Sequence, residues 1–248
     1  MYYEVSGSRL RILGTNHVVP EGRMLPPFVV DAIQWADVGC IEHGLTELQP
    51  RTLLAEGVSL QDLLPADVWQ ALDAAWSAAP RQLGDLQRFR PWAAALSIGI
   101  SRLRFSMGVE HQFSEHLAQQ GSAPGTLESG DEVADLLDAV PVSEFAEVLR
   151  FALPQIDRAQ ANFEAMYERW AERDGDGLLA ELAHSPIFGR PSVQKAFFLT
   201  RNRTWADRVM SVGAPATNTV LAVGCGHLVG PDNFLDLLRQ RGLTIRAL

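Results

Sequence analysis

Apolar positions along the chain follow two rhythms, one short and strand-like at both ends and one helical in between. Tyr2 to Val5 and Leu10 to Leu13 are short apolar-rich runs on either side of Ser6-Gly7-Ser8, a composition that predicts a hairpin. The hairpin delivers the chain to Gly14-Thr15-Asn16-His17. Pro26 and Pro27 then open an amphipathic segment, Phe28 to Ala36, with Val29, Ile33 and Ala36 near helical spacing, and Val38 to Ile41 resumes as a strand ending at Glu42. The far end repeats the plan. Thr219 to Val223 is a β-branched and apolar strand, and Gly224-Cys225-Gly226-His227 follows it. Pro231 and Asp232 start a helix through Leu235, Leu237 and Leu238, Gly242 ends it, and Leu243 to Arg246 makes a final strand. Two distant segments therefore share the order strand, G-x-x-H, helix, strand.

Between them, Ala66 to Ala79, Pro91 to Met107, Glu110 to Gln120, Glu132 to Ala139, Ser143 to Glu172 and Ser192 to Val212 carry apolar residues at i, i+3 and i+4. Pro154 should kink the longest of these helices. Gly121 to Gly130 reads as a loop with a short strand at Gly125 to Leu127. No stretch is composed like a domain linker. The expectation is one α/β domain over residues 1–248, with a central mixed β-sheet flanked by helices, a large helical insertion, and pseudo-symmetric units at the two ends.

Composition narrows the function classes. The chain has 248 residues, 47% of them hydrophobic, enough to bury a full core. Its net charge is -9 and its basic residues are scattered, which argues against a nucleic-acid partner. Two cysteines, Cys40 and Cys225, are too few for a disulfide scaffold, and both are expected to be buried and reduced. The most apolar run, Trp92 to Ile100, is far shorter than the roughly 20 residues of a membrane-spanning helix, so no membrane span is expected. The first residues lack the basic and apolar regions of a signal peptide, and the chain as written is expected in the cytoplasm.

Both G-x-x-H segments lie just past the carboxyl end of a predicted strand, where open α/β sheets place ligand sites. Glu42 closes a neighbouring strand. Two imidazoles and a carboxylate that converge there suit a divalent metal with open coordination positions, and manganese, cobalt or zinc all fit such mixed ligation. A strand-end histidine also serves as a hydrogen-bonded structural residue, and spacing alone leaves both readings open. Glu128 belongs on the same rim or in the cap of the helix after Asp131. Arg201 either points into the cleft, to meet a substrate carboxylate or an oxyanion, or anchors its helix through an ion pair. His111 and His116, five apart, face different sides of a helix, and His43 and His184 are expected to be solvated. An H-E-x-x-H helix and a G-x-S-x-G elbow are both absent. The glycines at 224, 226 and 230 fail as a dinucleotide loop, for lack of an acid-bearing strand about 20 residues on.

Leu13-Gly14-Thr15-Asn16-His17-Val18-Val19-Pro20 resembles the opening motif of the TraB/GumN family, the group that includes the Tiki-type metal-dependent peptidases. Ala36-Asp37-Val38 with Glu42, Gly108-Val109-Glu110, Leu127-Glu128-Ser129, the Arg201-Asn202 helix, and Val223-Gly224-Cys225-Gly226-His227-Leu228 with Gly230-Pro231-Asp232 are similar to later family segments, in order. The departures are Glu110, where relatives commonly carry Asp, and His43-Gly44 after Glu42, where Leu-Asp is more usual. The resemblance implies a metal-dependent peptidase in which His17, Glu42 and His227 are essential, with a peptide or small-molecule substrate. Glu42 then serves as ligand or general base, and Glu128 and Arg201 assist. Fold relatives of that family also include haem-binding proteins, so a groove that holds a peptide, haem or regulator without turnover is the competing expectation. Relatives often carry an export signal, and a mature form trimmed of one would be periplasmic or secreted.

Overall fold

The computed structural model describes residues 1–44, 46–185 and 187–248. Strands β1 (Tyr2–Val5), β2 (Leu10–Thr15), β4 (Val38–Ile41), β6 (Gly125–Thr126), β7 (Thr219–Gly224) and β8 (Ile245–Ala247) form a six-stranded sheet in the order β6-β4-β7-β2-β1-β8, and β3 (Val18–Pro20) pairs with β5 (Phe105–Met107) in a separate ribbon. β6, β4, β7 and β2 are mutually parallel, whereas β1 is antiparallel to both β2 and β8. β1 is therefore the one reversed strand of the six, and the sheet is mixed as expected.

Twelve α-helices surround it among the described residues: α1 (Pro27–Trp35), α2 (Leu60–Leu63), α3 (Ala66–Ser77), α4 (Pro91–Ile100), α5 (Val109–Gln119), α6 (Gly130–Asp138), α7 (Val142–Ala152), α8 (Ala159–Ala171), α9 (Gly175–Ala183), α10 (Pro191–Gln194), α11 (Thr200–Val212) and α12 (Phe234–Gln240). None is long and apolar enough to cross a membrane. Alternation along the strands sorts the core. Leu13, Val220 and Ala222 face one side with α1, α5 and Trp170, while Ile12, Leu221 and Val223 face the other with Trp205 of α11 and Phe234 and Leu238 of α12. A third core lies within the helical insertion, around Trp69, Leu72, Trp92 and Leu149.

The expected pseudo-symmetry takes the form of two parallel crossovers: β2 to β4 through α1, passing over β7, and β7 to β8 through α12, passing over β2 and β1. Several boundaries differ from the sequence expectation. The helix opened by Pro91 stops at Ile100, where Ser101 Oγ donates to the Ile98 carbonyl, and residues 105–107 are strand β5. Around Pro154 the expected kink is a full 3-10 segment, Leu153–Arg158, between α7 and α8, because proline has no N–H and crowds the preceding turn. The last helix begins at Phe234 under an Asn233 cap, whose Oδ1 accepts from Asp236 N. Asp232 before it takes a positive φ of 53° and cannot start a helix. Strand β3 and helices α2 and α9 were not foreseen.

Candidate functional site

Register puts the chemistry on one edge. Thr15 lies opposite Gly224 in the parallel β2/β7 pair, and Ile41 lies opposite Ala222 in β4/β7. Residues that follow these three strands therefore emerge side by side at their carboxyl ends. A methyl group added at Gly224 would lie 3.0 Å from Glu42 Oε1, 3.5 Å from His17 Nε2 and 3.6 Å from His227 Cδ2. The two G-x-x-H histidines and the glutamate thus converge around the small space that this glycine leaves open.

Each imidazole is oriented by an oxygen acceptor. His17 Nδ1 stands 3.1 Å from Glu110 Oε1, which also accepts from Thr15 Oγ1. His227 Nδ1 donates to Asn202 Oδ1 at 2.6 Å, and Asn202 Nδ2 in turn donates to the Asp232 carbonyl, which sets the amide orientation. This tautomer leaves the His227 Nε2 lone pair facing the site. The His227 ring is buried between Trp205 and Phe198, at centroid distances of 4.4 and 4.9 Å.

The two rings differ in charge for clear reasons. Burial drives the His227 pKa down to about 3, against the attraction of Glu42. Glu110 raises that of His17 to about 9, although the His17 side chain is 63% exposed and solvent screens part of that attraction. Burial would raise the Glu42 carboxyl, but the Arg201 guanidinium, both imidazoles and the Gly224 N–H hold it well below the ordinary range. Gly224 N donates to Glu42 Oε1 at 2.5 Å, and Arg201 Nη2 donates to Glu42 Oε2 at 2.6 Å.

Arg201 anchors its helix through ion pairs with Glu42 and Glu128, the second of the two sequence readings. It is buried, with Nε on Glu128 Oε1 at 2.7 Å, Nη1 3.3 Å from His227 Nε2, and its plane over Trp205 at 4.7 Å. Those ion pairs lie beside the His227 ring. Glu128 reaches the same rim, since its N–H extends the β4 ladder by donating to the Glu42 carbonyl at 2.9 Å. Burial pushes the Glu128 carboxyl upward, and Glu42 adds to that while Arg201 opposes it. The adjacent helix cap is Ser129, in a reciprocal box with Glu132.

The donor chemistry fits a divalent ion: two imidazole nitrogens and a carboxylate around one space, each imidazole backed by an oxygen on its other nitrogen. Glu110 Oε2, buried beside His17 with no hydrogen-bond partner, marks further unmet polarity in the site. The closeness differs from that of a closed shell. Among the described residues no group of three histidine, cysteine or carboxylate side chains is gathered tightly enough to hold a metal, and Arg201 stands among the three donors.

Other candidates lie elsewhere. His111 pairs with Glu115, His116 with Gln120, His43 Nδ1 lies 3.1 Å from the Gly44 carbonyl, and His184 ends α9. Both cysteines are free. Cys225 is buried, with its thiol pushed up to about 12, but Cys40 is only half-buried, because the short edge strand β6 leaves that part of the sheet partly open. Sequence reasoning did not assign roles to Glu110, Asn202 or Thr15. The signals available were Glu110 in the first turn of a helix behind Gly108 and Asn202 beside Arg201.

No curated protein and no solved structure matches the chain. A profile of the TraB/PrgY/gumN family matches residues 2–247, so this site, with its two G-x-x-H histidines on one sheet edge, is the site of a chain that belongs to the TraB/PrgY/gumN family.

Proposed function

We propose that the protein is a divalent-metal-dependent hydrolase, most simply a peptidase, in which His17, Glu42 and His227 hold the ion. The observation that carries this reading is the convergence of those three side chains around Gly224, with each histidine held by an oxygen on its far nitrogen. These three side chains would hold the ion, and the chemistry supplied when it is bound would be a more acidic water and a polarised carbonyl. Manganese, cobalt and zinc all suit the donor set.

The chain's own groups do the rest. Glu110 and Asn202 keep the two rings aimed. Arg201 fixes Glu42 and brings a buried positive charge to the place where negative charge develops on a carbonyl oxygen. Glu128 shares that guanidinium and is pushed toward its protonated form, so it suits the delivery of a proton to the leaving amine. His17 is the more open of the two imidazoles and so the one an arriving substrate can reach.

A second reading has one observation in its favour. The three donors are not drawn into a shell, and Arg201 already supplies a positive charge among them, as suits a groove that binds a peptide, haem or regulator without turnover. Calorimetric titration of manganese, cobalt and zinc separates the two, using wild type, His17→Ala, His227→Ala and the bystander His184→Ala. The hydrolase reading expects one site per chain in wild type and His184→Ala and its loss in the other two, together with peptide cleavage that a chelator stops. Equal affinity in all four proteins with no cleavage leaves the binding reading, whereas cleavage that survives the chelator overturns both.

A further inference from the structure

A second concavity lies away from the sheet edge, walled by α4, α7, α8 and the end of α9, with a volume of about 310 Å³. That is at the lower end of the range for small-molecule sites. Its body is apolar, and two of the exposed large apolar side chains of the protein, Ile100 and Phe151, sit on its wall. Surface of this kind in a concave setting is characteristic of a ligand site. The polar lining is sparse: Gln155 on the 3-10 segment, Asn162 on α8, and Glu181, His184 and Ser185 at the end of α9. Among the described residues no lysine or arginine lines it, and Glu181, the one carboxylate among them in the lining, lies 3.8 Å from Arg169 outside the cavity.

We infer that this cavity is a binding site for an uncharged amphiphile, with its apolar body against α4 and α7 and a single hydrogen-bonding end met by Asn162 and His184. An anionic head is disfavoured, because no lysine or arginine of the lining pairs with it and Glu181 adds a carboxylate there. The size suits one medium-length alkyl chain or a small aromatic system. The cavity stands beside the Glu42–Arg201 network and is separate from it. Phe197 lines it, and the Phe197 carbonyl accepts from Arg201 Nη1 at 3.1 Å. Phe197 belongs to a π-helical turn, Lys195–Leu199, a local geometry often found at functional sites. The inference does not depend on the metal reading, and either can fail alone.

The test uses N-phenyl-1-naphthylamine, an uncharged probe that fluoresces in apolar surroundings, titrated into the full chain. Saturable enhancement with one probe per chain is expected. 1-Decanol should displace the probe, while ionised decanoate should do so about tenfold less well. Gly99 is a helical residue on the cavity wall where an added Cβ meets no atom within 4 Å, so the first carbon of Gly99→Leu is tolerated, its remaining carbons add bulk at the wall, and helix propensity improves. That variant should keep the wild-type Tm and bind the probe about tenfold more weakly. Unsaturable or absent enhancement in wild type, displacement by decanoate as good as by decanol, or undiminished binding by a folded Gly99→Leu protein would each overturn the assignment. The competitor comparison in wild type decides the matter even if the variant folds poorly.

Discussion

Gly224 has φ -51° and ψ 133°, a backbone any residue can adopt, so its glycine matters for the space it leaves open. That space is bounded by Glu42 Oε1, His17 Nε2 and His227. Gly224→Ala should therefore separate fold from function. Its methyl group would sit 3.0 Å from Glu42 Oε1, tight enough to cost about 1 kcal/mol of stability while filling the space between the donors. The expected outcome is a Tm within a few degrees of wild type and at least about tenfold weaker cobalt binding by calorimetry. Unchanged binding in a folded variant would mean that the three side chains do not share a ligand. The neighbouring residues have equally specific tasks. Asn202 donates its Nδ2 to the Asp232 carbonyl, which leaves its Oδ1 free to hold the neutral His227 ring in one tautomer.

At the scale of elements, the site depends on how the β3/β5 ribbon meets the sheet. Gly108 joins β5 to α5, its N–H donates to the His17 carbonyl at 3.0 Å, and the Val109 N–H donates to the Asn16 carbonyl at 3.0 Å. A Cβ on Gly108 would collide with the backbone of Asn16 and His17, far closer than side-chain carbons ever approach. Gly108→Ala should push α5 away from the His17 turn, lower stability by about 3 kcal/mol or more, and break the His17–Glu110 contact. Urea denaturation measures the first effect, and the His17 imidazole shifts in an NMR titration measure the second. This junction is also where the sequence was least legible. Residues 105–107 follow an apolar helix so closely that periodicity runs them into it, and three residues are too few to carry a strand signal of their own. The strands β1, β2, β4 and β7 were legible because each is a short, mostly apolar run next to a polar or glycine-containing segment. Of the site, His17, Glu42, Glu128, Arg201 and His227 were readable from motifs at strand ends and on one helix. Glu110 and Asn202 were not, because their partners lie 93 and 25 positions away in sequence and only the folded register brings them together.

Across the whole molecule, the sheet interleaves both ends of the chain: β7, from the last thirty residues, sits between β2 and β4 from the first forty-one. Folding of the site is thus tied to folding of the whole sheet, and its buried charges should appear in global stability. His227 is held neutral, with a pKa of about 3 against an unfolded value near 6.5. Below pH 6.5 the unfolded chain therefore takes a proton at this position that the folded one refuses. The stability is complete above pH 6.5 and is lost progressively as pH falls toward 3. His17 works in the opposite sense, favouring the fold below pH 6.5 and losing that contribution as pH rises through about 9, though exposure weakens it. Glu42, with a depressed carboxyl, contributes above the ordinary unfolded value near 4.3 and so is constant between pH 5 and pH 7. Glu128 shifts upward and opposes it, which makes a difference between variants a cleaner readout than the slope of one protein. With chelator present to keep the protein metal-free, proton uptake at His227 on unfolding should make wild type about 2 kcal/mol less stable at pH 5 than at pH 7. In His227→Gln, whose amide does not titrate but can still accept from Arg201, most of that difference should disappear. Chemical denaturation at the two pH values measures it, and an equal pH 5 to pH 7 difference in both proteins would show that His227 is not held neutral in the fold.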